Sequence, residues 1–244
     1  MALGHHAGMN FMPSRRPCAK PRLAPFLLLL GLITAQVSAS ASTREDEIAQ
    51  CLPGEQRSWG DGVDRPAVAS PLFFVYQHGG APSWFTPAQV QNAILLAASA
   101  WSRCGVPARL ISMSGGQAVP EGAVLVQWSD QGSMGNFGLA NLSRRTLALG
   151  PAAFELLNSR NPGFPARQTL QMVISHEMGH LFGLMAHSRR CVDVMSYYHD
   201  GKGQKCTVRD ESAMQGVAEY RSVLPTACDI ERCRAANAAP GGAR

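Results

Sequence analysis

The sequence predicts an α+β fold in which a twisted five-stranded sheet packs on two long helices, with a small C-terminal lobe following Gly183. Three observations predict it. Short apolar runs bounded by turn-forming residues recur between positions 72 and 149, and two longer stretches carry apolar residues at helical spacing. The chain of 244 residues is also 45% apolar and only 16% charged, enough to fill a real core. Disorder requires low hydrophobicity with high charge, so wholesale disorder is excluded.

The elements follow in order. Residues 1–39 hold a basic cluster (Arg15, Arg16, Lys20, Arg22), an apolar run over 24–37, and small residues at Val37-Ser38-Ala39 or Ala39-Ser40-Ala41. These are the three parts of a Sec-type secretory signal, cleaved after Ala39 or Ala41. A faint twin-arginine pattern in Ser14-Arg15-Arg16 is weakened by Cys18 and Ala19, which stand where that motif favours large apolar side chains. The run is shorter than the about 20 residues of a spanning helix, and no later segment approaches that length, so no membrane span is expected. The net charge of +5 belongs to this leader: its removal takes four of 22 basic residues and none of the 17 acidic ones. The exported chain is close to neutral, so no nucleic-acid partner is expected.

Residues 40–70 are rich in Gly, Pro, Ser and charge without periodicity, an irregular lead-in or short pro-segment before a domain spanning 71–233. The run 72–77 (LFFVYQ) is a strand. Thr86-Pro87-Ala88-Gln89 is a capping-box pattern with Pro at the first helical position, and Val90, Ile94, Ala97, Ala98 and Trp101 continue at helical spacing to a stop at Gly105. Strands are expected over 109–113, 123–128, 138–142 and 146–149, with a Gly-rich loop at 132–136 and a polar turn at Ser143-Arg144-Arg145. After the breaker Asn161-Pro162-Gly163-Phe164-Pro165, the residues Leu170, Val173, Ile174, Met178 and Leu181 repeat helically and stop at Gly183. A third helix is expected from Thr207-Val208-Arg209-Asp210 to about Tyr220, and a disordered tail over 234–244.

Of seven cysteines, Cys18 leaves with the leader and six remain. An even number in an exported chain implies three disulfides. Nearness in sequence favours Cys191 with Cys206 and Cys228 with Cys233, leaving Cys51 for Cys104. No C-x-x-C pair supports a zinc ribbon.

The second long helix carries His176-Glu177-Met178-Gly179-His180, an H-E-x-x-H pattern. Histidines four residues apart project from one helical face, so both can place a nitrogen about 2.0–2.1 Å from one zinc ion. Glu177 lies beside them, where a carboxylate can take a proton from a zinc-activated water and return it to a leaving amine. A catalytic zinc site also needs a third protein ligand and one open position.

The longer stretch from His176 to Ser188 (HEMGHLFGLMAHS) resembles the metzincin zinc-binding signature H-E-x-x-H-x-x-G-x-x-H, and Val194-Met195-Ser196-Tyr197 resembles its Met-turn. Within the metzincins the likeness is to the matrixins, whose third histidine is commonly followed by Ser, and it covers roughly residues 70–222. The resemblance implies a secreted zinc endopeptidase acting as a monomer on protein or peptide substrates. It also implies a mostly parallel sheet, a C-terminal subdomain with the Met-turn and a final helix, and an extended substrate paired along the edge strand 138–142.

Residue by residue, it makes His176, His180 and His187 the metal ligands, Glu177 the general base, and Met195 a hydrophobic floor. Tyr197 resembles the switchable tyrosine of astacins and serralysins, which implies a catalytic role in stabilising the oxyanion. There is one departure: three residues, Leu184, Met185 and Ala186, separate Gly183 from His187 where the family has two. A small bulge absorbs one residue, about 3.6 Å at most. Asp193 and His199 compete for the third position; Glu211 and Glu219 lack the flanking pattern of a gluzincin site.

Arg103-Cys104-Gly105-Val106-Pro107 resembles the matrixin cysteine switch but lies after the first long helix, where a C-cap and a stop explain it. His78 ends a strand and reads as a surface histidine. Asp130 is a candidate for the structural calcium that matrixins bind. The rival reading is a secreted zinc-binding interaction domain without catalysis, against which the presence of Glu177 argues.

Overall fold

The computed structural model describes residues 43–113 and 117–238. The expected secretory signal and residues 239–244 of the expected tail lie outside the described residues. In chain order the elements are α1 (Thr43–Ala49), β1 (Leu72–Gln77), α2 (Pro87–Ser102), β2 (Ala108–Leu110), β3 (Val124–Trp128), α3 (Asp130–Ser133), β4 (Gly138–Asn141), β5 (Thr146–Leu149), α4 (Pro151–Arg160), α5 (Ala166–Leu181) and α6 (Ala227–Asn237). The fold is α+β, with an open five-stranded sheet ordered β2-β1-β3-β5-β4. Neighbouring strands run parallel except at β4, which pairs antiparallel with β5 in the register Leu139↔Ala148.

The long helices form for the reasons their sequences carry. Thr86 accepts a hydrogen bond from the Gln89 amide while the Gln89 side chain accepts one from the Thr86 amide, and Pro87 opens α2. The apolar stripe Val90, Ile94, Ala97 and Trp101 is buried, as are Leu170, Ile174, Met178 and Leu181 of α5. The two helices pack on each other, and the Trp101 Nε1–H donates to the Ser175 carbonyl at 2.8 Å. This side-chain to backbone bond locks the registry of the helix that bears the H-E-x-x-H pattern. On the sheet, Leu72, Phe74, Val124, Val126, Leu147 and Leu149 close the core.

Several expectations are corrected. Residues 43–70 carry the unexpected helix α1 and are otherwise irregular, and they are bonded to residues of the domain expected to start at 71. Arg44 donates to the carbonyls of Tyr220 and Arg221, buried Glu47 accepts from the Tyr220 hydroxyl and the Arg209 amide, and Glu55 takes the Arg209 guanidinium on both oxygens. The helix expected over 207–220 is a single 3-10 turn, Glu211–Met214. Asp210 does cap it, accepting from the Ser212 amide, but Gly216 at φ +74° turns the chain away two residues beyond its end.

The last helix is instead α6, opened by a capping box between Thr226 and Asp229. It continues through Arg234 to Asn237, so the expected tail begins too early. Arg234 donates to the Arg103 carbonyl, and the Asn237 amide to the Phe182 carbonyl. The helices α1, α3 and α4 were not foreseen; α1 and α4 bury one residue each, Glu47 and Phe154, and present no apolar stripe to read.

Three disulfides form, as the cysteine count implies, and Cys191–Cys206 is the expected pair. The other two are Cys51–Cys228 and Cys104–Cys233. Cys228 and Cys233 share α6, where a five-residue step rotates side chains by roughly 140°. They face apart, so each reaches a different distant partner. Three disulfides suit an oxidising compartment. Among the described residues no helix is long and apolar enough to cross a membrane.

Candidate metal centre

His176 and His180 stand one turn apart on α5 with ring centroids 5.1 Å from each other. The helix then ends at a position only glycine suits. Gly183 has φ +105°, and a Cβ there would overlap the carbonyl oxygen of Arg65. Its own carbonyl accepts from the Arg65 amide at 2.9 Å. The chain turns back through Leu184, Met185 and Ala186, and the His187 ring arrives with its centroid 5.1 Å from each of the other two. One ligand atom from each histidine lies within 4.8 Å of the others. The three-residue arm therefore does not keep His187 from the pair on the helix.

The donor chemistry fits a divalent metal. His176 Nδ1 lies 2.7 Å from the Val194 carbonyl, His180 Nδ1 2.7 Å from the Leu184 carbonyl, and His187 Nδ1 2.7 Å from Asp61 Oδ2. All three acceptors lack protons, so each ring carries its hydrogen on Nδ1 and leaves the Nε2 lone pair free. Burial, with the neighbouring imidazoles, holds His176 well below the usual histidine range. Burial lowers His180 as well, against the pull of Glu177. Neutral imidazoles are what a metal requires.

Glu177 follows His176 on the helix and is 8% exposed. Its Oε2 accepts the Ala140 amide of β4 at 2.8 Å, which ties the carboxylate to the edge of the sheet. Burial raises its proton affinity, with His180 and the Ala140 bond opposing. Met195 is fully buried against α5 at Gly179, where a Cβ would overlap its sulfur and come within 2.9 Å of Trp101 Cζ2. Tyr197 stands beside His187 with ring centroids 4.7 Å apart, stacks on Trp59, and donates its hydroxyl to Asp61 Oδ2 at 2.7 Å. Burial together with that carboxylate pushes the phenol up to about 12.

Asp61 was not foreseen. Burial favours its neutral form, yet the hydrogen bonds from Tyr197 and His187 outweigh this and hold the carboxyl at about 2. It lies 126 residues before His187, and no spacing rule connects the two.

The other candidates lie elsewhere. Asp193 is buried and accepts from Ser188, Arg190 and Thr226. His199 sits in the hairpin bridged to Lys205, and its Nδ1 accepts the Gly201 amide. His78 Nδ1 lies 2.6 Å from the Tyr76 hydroxyl. Asp130 accepts the Ala152 amide at the start of α4, and among the described residues no group of three His, Cys, Asp or Glu ligands gathers around it. Cys104 is bonded to Cys233 and offers no switch thiolate. Glu219 pairs with Arg221, and Glu211 lies in the 3-10 turn. Cys51, Glu55 and Cys228 also converge, but the two cysteines are joined in a disulfide. A cavity of about 740 Å³ opens in the C-terminal lobe, lined by Tyr198, Lys205 and Met214 and by none of the three histidines.

No protein-family model matches the chain, and a search of curated proteins gave no match.

Proposed function

We propose that the chain is an exported zinc-dependent endopeptidase of metzincin, matrixin-like type, hydrolysing peptide bonds in protein or peptide substrates. One observation carries the reading: three imidazoles converge with every Nδ1 engaged by a proton acceptor, beside a buried glutamate anchored to a sheet edge. Two further features support the finer likeness: Gly183 stops α5, and Met195 is buried against the same helix at Gly179. When bound, zinc supplies Lewis-acid polarisation of the scissile carbonyl and of the attacking water.

The chain's own residues do the rest. His176, His180 and His187 would hold the ion, each through its free Nε2. Glu177 takes the proton of the attacking water and delivers it to the leaving amine, and the Ala140 N–H aims its carboxylate. β4 is the outer strand of the sheet, and an extended substrate adds to it through backbone hydrogen bonds, which give affinity without strong sequence selectivity. Tyr197 serves the oxyanion by turning its hydroxyl from Asp61 toward the substrate.

The test is zinc stoichiometry together with casein hydrolysis, on wild type and Glu177→Ala. Both proteins are expected to hold one zinc per chain, and the variant to lose about 10²–10⁴-fold in hydrolysis, the ordinary worth of a general base. Near-normal cleavage by Glu177→Ala overturns the mechanism. A wild type that holds zinc and cleaves nothing points to a zinc-binding interaction domain.

A further inference from the structure

We propose that Asp61 is a positioning residue for the third imidazole, fixing both the tautomer and the direction of His187, and that the segment 57–68 is a working part of the metal centre. This rests on the zinc reading above. His176 and His180 need little help: both stand on one rigid helix, and one of their acceptors, the Leu184 carbonyl, is only four residues along the chain. His187 lies beyond the helix, on an irregular arm. An imidazole there has neither a fixed backbone nor a fixed ring unless something outside the arm supplies them.

Asp61 supplies both. Its Oδ1 accepts the His187 backbone amide at 2.9 Å while Oδ2 accepts the His187 Nδ1–H at 2.7 Å, so one carboxylate grips main chain and ring together. Three residues on, Asp64 Oδ1 accepts the amides of Met185 at 2.9 Å and Ala186 at 3.1 Å, and Arg232 holds Asp64 from behind at 2.7 Å. Two carboxylates thus receive three consecutive amides, 185 to 187, along the whole approach to the site. The segment keeps this contact over its length. Arg57 O accepts the Arg189 amide, the Trp59 amide donates to His187 O, Arg65 N donates to Gly183 O, and Val68 N donates to Leu181 O. Between the two acids, a Cβ on Gly62 would come within 2.5 Å of the Met185 carbonyl oxygen, so the backbones touch there.

The chemistry makes the carboxylate more than an anchor. A neutral imidazole has two tautomers, and only the one with its hydrogen on Nδ1 leaves Nε2 free for a metal. A carboxylate accepts and cannot donate, so it selects that tautomer, and its negative charge strengthens the ligand. An amide in the same place can turn its NH2 toward Nδ1 and admit the wrong tautomer.

The experiment uses the full exported chain as wild type, Asp61→Asn and Asp61→Glu. The His187 tautomer is read by imidazole ¹⁵N NMR in the metal-free protein, its signal identified by loss in His187→Gln, and zinc affinity is read by chelator competition. Wild type and Asp61→Glu should show His187 with its hydrogen on Nδ1. Asp61→Asn should show a tautomer mixture and bind zinc about 10–100-fold more weakly, the usual cost of losing such a partner. Unchanged zinc affinity in Asp61→Asn overturns the proposal. Equal losses in both variants with His187 still protonated on Nδ1 also overturn it, since they would make Asp61 an anchor of the loop alone. A wild type that binds no zinc overturns the function proposed above, whereas the tautomer in the metal-free protein still decides what Asp61 does.

Discussion

At Gly179, midway between Glu177 and Leu181, the helix has no side chain, and the Met195 sulfur and the Trp101 ring fill the space. Met195 and Trp101 are both fully buried, and Trp101 is further fixed by its bond to the Ser175 carbonyl and by stacking on Phe182 at 5.7 Å. A methyl group there has no room. Gly179→Ala is therefore expected to destabilise the fold by about 1–3 kcal/mol, as overpacking usually does, even though alanine favours helix. Met195→Ala should cost less in the Gly179→Ala background than in wild type, because the sulfur is the nearest obstacle. Thermal melts of the single and double variants check this; a Gly179→Ala melt equal to wild type would mean that Met195 and Trp101 are not closely packed on the helix.

Among the elements, the segment before β1 carries more of the site than its composition suggests. It is fastened at one end by Cys51–Cys228 and then runs past the arm that bears His187. Removing this disulfide with Cys51→Ser and Cys228→Ser should cost about 2–4 kcal/mol in urea unfolding, the typical worth of a native bridge. The same variant should lose zinc to a chelator faster, because the start of the segment that holds His187 is released. Stability equal to wild type would show that the hydrogen bonds of Glu47, Glu55 and Asp64 hold the segment unaided. The helix α6 has the complementary role: Cys228 and Arg232 reach this segment at Cys51 and Asp64, and Cys233 reaches Cys104 beyond α2.

For the molecule as a whole, the joint between the C-terminal lobe and α6 holds two buried carboxylates, Asp193 and Asp229, with Thr226 Oγ1 2.6 Å from the first and 3.2 Å from the second. Burial raises the proton affinity of Asp193, and Arg190 at 2.9 Å opposes this. Asp229 accepts the amides of Val194 and Thr226 on one oxygen, and among the described residues the other has no partner. Burial, reinforced by the charge of Asp193, pushes Asp229 up to about 7. The sign follows. A carboxyl whose proton affinity is raised by folding favours the folded state fully at acid pH, below its unfolded value of about 4, and that contribution is lost as pH rises toward about 7. Asp229→Asn keeps the accepting oxygen and adds a neutral donor at the vacant side. Unfolding free energy measured between pH 4 and 7 should fall for wild type relative to this variant; parallel curves would show that Asp229 does not take up the proton.

What the sequence determined by itself is what neighbours within about four residues decide. The capping box at Thr86 and Gln89, the strand run at Leu72–Gln77, the pairing of His176 with His180 on one helical face, and the stop at Gly183 were legible because each is local physics. The number of disulfides was legible too, since it needs only an even cysteine count once the first 39 residues are read as a leader. Tertiary structure decided the rest. The partners of Cys51 and Cys104, the meeting of Asp61 with His187, and the single 3-10 turn where the sequence predicts a helix after Thr207 all depend on the path of the chain through space. A carboxylate in a Gly-rich stretch carries no mark of the ring it will hold. That choice is made only when burial brings two segments 126 residues apart into contact and their polar groups must find each other.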